Sequence, residues 1–229
     1  MSNSGKRSIK KVFIFGGTLL ALAACVIISL SELHSKVNLN DIAGRIIRKE
    51  AASDSEEDSV VYENDFFNFG MRLSGKEEVL DRDGAYEYAK ESGWISNVEL
   101  VDRGLYYYEL LVENLRKGDG KYIEVSYYRY KPQLGKNEKE ICDKQIESRR
   151  KNLEIDGYKI FVLETVEIPF AGKNHYALKE SYFKSGQHSY VYKIYYKKQN
   201  ALCYICFTSY ESEEELNNLV ASCYELEAE

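Results

Sequence analysis

The run Val12 to Leu30, VFIFGGTLLALAACVIISL, holds 19 residues without a single charge, and no other stretch restricts the chain so strongly. At about 1.5 Å per residue, a helix of that length reaches roughly 28 Å, close to a bilayer core of about 30 Å. A core helix of a small domain would show a polar face instead, so a membrane-spanning helix is expected. Lys6, Arg7, Lys10 and Lys11 crowd the basic tail of residues 1–11, while residues 31–45 contain Lys36 and Arg45 only. The positive-inside bias then leaves the N-terminus in the cytoplasm and places the long C-terminal part outside.

Within the run, Leu22-Ala23-Ala24-Cys25 resembles the lipobox of bacterial lipoproteins, where signal peptidase cuts before a cysteine that carries a diacylglyceryl group. A basic n-region, an apolar h-region and small residues ahead of the cut are the parts a cleaved signal needs. Val26, Ile27, Ile28 and Leu30 continue the apolar stretch past that point. Two roles therefore stay open for Cys25, a lipidation site or a small apolar residue within a transmembrane helix. Both tie the chain to a membrane, and the apparent lipobox together with the Lys, Glu and Tyr richness points to a bacterial cell envelope.

Residues 31–59 read as a juxtamembrane segment and an acidic linker. Leu39, Ile42, Ile46 and Ile47 stand at helical spacing among Asp41, Arg45, Arg48 and Lys49, the pattern of a short amphipathic helix. EAASDSEEDS, residues 50–59, has five acids and no large apolar side chain. Such a stretch buries too little to order itself, so a solvated spacer holding the domain off the membrane is expected.

Residues 60–229 are expected to form one α+β domain, an antiparallel sheet layered with helices. Twenty tyrosines among 229 residues favour strands, because the Tyr ring fits a half-buried pleated surface. The apolar pattern from Val60 to Leu73 suits a strand or hairpin opening the fold. Asp83 can cap a brief helix that Gly93 stops ahead of Trp94. Strands are expected from Leu105 to Val112 and from Tyr122 to Tyr130, with a turn at residues 116–120. Asn137 to Asn152 has Ile141, Cys142 and Ile146 at helical spacing, closed by Gly157. A meander follows at Tyr158 to Ile168, Tyr176 to Phe183, Tyr190 to Lys197 and Leu202 to Ser209. Ser212 and Glu215 make a capping box for a last helix whose stripe is Leu216, Leu219, Val220, Cys223 and Leu226.

With these elements in order, the chain resembles the PsbP/Mog1-like α/β/α sandwich. Three features carry the likeness: the Tyr62-Glu63-Asn64-Asp65-Phe66-Phe67 opening, the Gly93-Trp94 pair, and a final helix closing the chain after a meander. It spans residues 62 to 226 and is one of layout. The resemblance implies a binding or accessory scaffold and assigns no site residues.

The usual chemistries find no support in the residues. A net charge of −6 argues against a nucleic-acid partner, since such domains concentrate Lys and Arg on one face. Cys203-Tyr204-Ile205-Cys206 has redox spacing, but both cysteines fall inside a strand pattern on opposite faces, away from any helix N-terminus. If Cys25 is lipidated, Cys142, Cys203, Cys206 and Cys223 remain as candidates for two disulfides outside the cell. His34, His175 and His188 have no partner at metal-ligand spacing, so no metal or other cofactor is expected. Ser181-Tyr182-Phe183-Lys184 matches the S-x-x-K of penicillin-interacting enzymes, but here it overlaps a strand end rather than opening a helix. Tyr106, Tyr107, Tyr108, Tyr122, Tyr127, Tyr128, Tyr130, Tyr190, Tyr192, Tyr195 and Tyr196 would line neighbouring strands. Exposed, they could contact an envelope protein or glycan; buried, they are core. No catalytic set emerges. The expected function is a non-enzymatic, membrane-anchored domain that binds or supports an envelope component, with an envelope hydrolase as the alternative.

Overall fold

Three hairpins of two-residue loops govern the second half of the chain. The computed structural model describes residues 39, 42–49, 58–75, 77–93, 106–113 and 120–227. Strands β7 (Lys159–Phe170), β8 (Lys173–Lys184), β9 (Gln187–Lys198) and β10 (Ala201–Ser209) follow one another as an antiparallel meander. Ala171-Gly172, Ser185-Gly186 and Gln199-Asn200 turn the chain between them, and Ala171, Ser185 and Gln199 take positive φ of 47°, 53° and 54°. A left-handed first turn residue matches the twist of the flanking strands, which makes these tight loops favourable.

The meander supplies four strands of a seven-stranded sheet in the order β4-β5-β6-β10-β9-β8-β7, with β4 (Val79–Leu80), β5 (Tyr106–Glu113) and β6 (Lys121–Arg129). A second sheet, absent from the sequence-based expectation, runs β1-β2-β3-β11 through β1 (Arg45–Lys49), β2 (Ser59–Asn64), β3 (Phe69–Ser74) and β11 (Cys223–Glu225). The two sheets enclose a shared core that includes Tyr62, Phe67, Phe69 and Met71 from one and Val125, Ile194, Ile205 and Phe207 from the other. On the opposite face of the large sheet, α2 (Glu138–Ile155) covers β7, β8 and β9, and α1 (Arg82–Glu91) covers β5. Helix α3 (Glu213–Ala221) lies against β7, β9 and β10. The α+β class and the antiparallel pairing expected from the sequence are both present.

Local signals set the helix ends. Asn137 and Ser212 accept from the backbone N–H groups of Glu140 and Glu215, as expected of N-caps. Asp81, rather than Asp83, caps α1 by accepting from the Gly84 N–H. Gly93 and Gly157 take φ of 76° and 79° just past their helices, where only glycine is unstrained.

Three further expectations fail. The amphipathic helix expected over residues 33–50 is not what forms at its C-terminal end: Arg45–Lys49 is strand β1, paired with β2 from Arg45↔Glu63 to Lys49↔Ser59. Consecutive Ile46 and Ile47 satisfy either period, and pairing decides, with Ile46 packed on the shared core and Ile47 exposed. The acidic stretch consequently joins two neighbouring strands and does not separate the domain from what precedes it. At the other end, the last helix stops at Ala221, and Cys223 belongs to β11, paired with Met71. The apolar segment 12–30, Cys25 and Trp94 lie outside the described residues, among which no helix is long and apolar enough to cross a membrane.

Candidate functional site

Two β-bulges shape the polar and aromatic chemistry of the sandwich. A bulge inserts one residue, flips the phase of alternation and re-aims a side chain. In β5 the register shifts between Tyr108 and Leu110, so Glu109 is the extra residue. Tyr106 and Tyr108 before it face α1, whereas Leu110 and Val112 after it face the shared core. In β7 the shift falls between Ile160 and Val162, and Phe161 is the extra residue.

Phe161 thereby lands on the face of β7–β9 that carries Ser181, Phe183, His188 and Tyr190. Its ring stacks on His188 at 5.1 Å with 28° between planes, and His188 stacks on Tyr190 at 4.4 Å and 11°. Lys159 Nζ lies 4.9 Å from the Phe161 centroid, and Phe183 meets His188 edge-on at 6.3 Å. The result is a pile of an ammonium and three rings running across three strands. Phe161 and Phe183 are 51% and 40% exposed, so the pile forms an open ridge. Its ring faces are largely taken up by one another, leaving ring edges, which carry partial positive charge, toward solvent.

Ser181 Oγ and His188 Nε2 are hydrogen-bonded at 2.8 Å. A hydrolytic dyad needs an open nucleophile and a third group orienting the imidazole. Ser181 is only 6% exposed, and among the described residues no carboxylate partners the His188 ring. Lys184 lies three strand positions from Ser181, hence on the other face, above the Tyr158 ring at 4.6 Å. The S-x-x-K match thus brings no lysine to the serine. Among the described residues, no group of three His, Cys, Asp or Glu side chains is placed to hold a metal.

Buried charges elsewhere are bound into the fold. Glu180 of β8 receives Arg149 Nε at 2.9 Å and Lys193 Nζ at 2.7 Å, all three held between α2 and the sheet. Burial pushes the Glu180 carboxyl up, but the two cations outweigh it and hold the group below the ordinary carboxylate range. Glu124 accepts from Tyr106 and Tyr122 hydroxyls and from Ser126 Oγ at 2.6, 2.7 and 2.9 Å. Glu109 receives Arg82 Nη2 at 2.6 Å and the Gly44 N–H; burial still raises its carboxyl above the ordinary value. Tyr62 and Tyr127 hydroxyls meet at 2.6 Å, with Asn64 donating to Tyr127 at 2.5 Å.

The sequence-predicted residues separate as follows. Cys142, Cys203, Cys206 and Cys223 are free and buried. Cys203 and Cys223 belong to the shared core, while Cys142, on α2, and Cys206, on β10, lie in the core between α2 and the large sheet. Burial pushes the thiols up, to about 12 for Cys142 and about 11 for Cys206, which removes thiolate character at neutral pH. The tyrosines considered for a surface go mainly to the core: Tyr106, Tyr108, Tyr127, Tyr192 and Tyr195 are buried. Phe161 and Phe183, which form the ridge, were not among the sequence candidates. The one local signal for Phe161 is Ile160-Phe161-Val162, three apolar residues in a strand that should alternate.

No protein-family model and no curated protein matches the chain. The solution structure of cyanobacterial PsbP (CyanoP) from Synechocystis sp. PCC 6803 is similar to it, with a TM-score of 0.44 and 9% sequence identity, covering 77% of this chain and 98% of that one. The similarity is to the family whose layout the sequence resembles. At so low a TM-score and identity it concerns the outline of the fold and nothing of the site.

Proposed function

We propose that the protein is a membrane-anchored, extracytoplasmic domain that binds or supports another component of a bacterial cell envelope and catalyses no reaction of its own. The observation that carries this reading is a contrast within the domain. Glu180, Glu124 and Glu109 are each satisfied by partners inside the fold, whereas the Phe161 ridge stands open to solvent with its rings pre-packed. Rigid aromatic side chains provide contact area at little entropic cost, which suits a docking surface. The anchor is the apolar run 12–30, with Cys25 either lipidated or within the span.

Protease treatment of intact cells carrying a C-terminally tagged chain tests the placement. The tag should be lost, and a fragment beginning at lipidated Cys25, absent from a Cys25→Ala variant, would select the lipoprotein form. A protected tag would overturn the extracytoplasmic reading. Carbene footprinting tests the ridge: Phe161 and Phe183 should label in the purified chain and be shielded in cells, and equal labelling in both would remove the ridge as a contact.

The Ser181–His188 hydrogen bond supports one alternative, an envelope hydrolase. Turnover of an ester or amide by the full chain, abolished in Ser181→Ala, would establish it in place of the accessory reading.

A further inference from the structure

The segment that follows the apolar run enters the core almost at once. Leu39 and Ile42 are 2% and 1% exposed and belong to the core between the sheets. Arg82 Nη2 donates to the Ile42 carbonyl at 2.8 Å, and the Gly44 N–H donates to Glu109, so bulge, helix and strand together clamp this segment. Only residues 31–38 separate Leu30 from Leu39. Eight residues span at most about 28 Å when fully extended, less than the width of a domain this size. If residues 12–30 are in the bilayer, the edge of the sandwich at which Leu39 enters is held beside the headgroups.

Two described elements flank that edge, and their charges differ in sign. Helix α1 shows Asp83, Glu87 and Glu91 to solvent against one exposed cation, Lys90, which pairs with Glu87 at 3.6 Å. Strand β1 shows Arg45, Arg48 and Lys49 with no acid among its five residues, and Ile47 is 37% exposed between them. Strand alternation puts Arg45, Ile47 and Lys49 on the outer face of the small sheet. Every residue of β1 but Ile46 is exposed, whereas Val61 beside it is only 2% exposed, so the open part of this face is β1 itself. Arg45 shares its charge with Glu63 and Asp65, each at 3.2 Å, and Arg48, on the other face of the strand, donates to the Val79 carbonyl at 3.4 Å while remaining exposed, which leaves Lys49 and the exposed edge of Arg48 as the anion contacts of β1. Cations on long apolar stems around an exposed isoleucine suit a headgroup layer, where stems and Ile47 enter the interface and charges meet phosphates.

We propose that the edge strand β1 rests on the lipid headgroups, with preference for an anionic bilayer, so that the domain is oriented on the membrane rather than suspended above it. The proposal depends on the anchor reading. Charged residues on an edge strand also discourage pairing with other chains, a role that needs no lipid. Site-specific crosslinking distinguishes the two.

The full chain, carrying a photoreactive benzophenone amino acid at position 47 or position 161, is reconstituted into vesicles of phosphatidylcholine with or without phosphatidylglycerol and irradiated. The expected result is a lipid adduct at position 47 several-fold above that at position 161. It should weaken without phosphatidylglycerol, in 0.5 M salt, and in an Arg48→Glu, Lys49→Glu variant. Equal adducts at the two positions, in a chain that still floats with the vesicles and survives carbonate extraction, would overturn the β1 contact and leave the anchor standing. A chain that does not float would overturn both.

Discussion

Strands β8 and β9 have two faces with opposite logic. Toward α2 they bury charge: Glu180 and Lys193 are both under 5% exposed and are joined by Arg149 from the helix. Toward the other side, at the Ser185-Gly186 end, they expose aromatic rings, with His188 and Phe183 beside Phe161 of β7. Residue type alone would assign these faces the other way round. What decides exposure is cover. Helix α2 lies over one face and supplies the counter-charge, whereas the ridge extends past the shared core that α3 and the small sheet close.

The sharpest way to break this contrast is to remove the carboxylate on the buried side. Glu180→Ala leaves Arg149 and Lys193 facing each other without a counter-ion, and losing one partner of a buried ion cluster costs about 3–5 kcal/mol. Urea unfolding of the full chain should show a loss of that size, with Glu180→Gln also strongly destabilised. A change below about 1 kcal/mol would mean that the cluster is solvated and that the faces do not differ as described.

Acid and base titration sharpen the same point. Glu180 is depressed in the folded chain, so its contribution is present above the unfolded carboxylate value and is lost as pH falls through the folded one. Lys193 is pressed below the ordinary lysine range by burial and by Arg149, against the pull of Glu180. Between the folded and unfolded lysine values the unfolded chain binds more protons, so stability rises with pH across that window. The urea midpoint should therefore fall on acidification less steeply in Glu180→Gln than in the parent, and Lys193→Met should lose the alkaline gain. Slopes identical to the parent in both variants would place the titration elsewhere.

How much of this was legible beforehand follows from what each feature depends on. The meander strands were readable because Tyr190 to Lys197 and its neighbours alternate between short turn signals, a local property. Ser212 is readable as a cap for the same reason. Strand β1 was misread because five residues containing Ile46-Ile47 fit two periods until a partner strand is known. Residues 223–225 continued the helical stripe of α3, and only pairing with β3 shows them to be a strand. The bulges at Glu109 and Phe161 were invisible because the insertion is defined by the neighbouring strand. The ridge and the clamp on Gly44 both depend on those bulges, so the site was hidden for one structural reason. The Glu180 cluster leaves no local signal, because its partner Arg149 lies 31 residues before Glu180, on another element.

On the open side, substitutions should cost little. Phe161→Ser and Phe183→Ser each remove a side chain that is only about half buried, worth about 1 kcal/mol of area. Their thermal unfolding should stay close to the parent, whereas shielding of the ridge in intact cells should disappear. A loss as large as that of Glu180→Ala would make the ridge part of the core and end its claim to be a surface.

The smallest effect tests whether the pile is pre-ordered. Lys159 above Phe161 is a cation–π contact at an exposed site, for which about 0.5–1 kcal/mol is expected. A double-mutant cycle of Lys159→Met and Phe161→Leu isolates the pair from the burial each side chain loses separately. A coupling in that range means that the ring is held from above by Lys159 and from below by His188 before any partner arrives, so little ordering remains to be done on contact. A coupling near zero means that Lys159 moves freely, and the pre-packed surface then reduces to the stacked rings of Phe161, His188 and Tyr190.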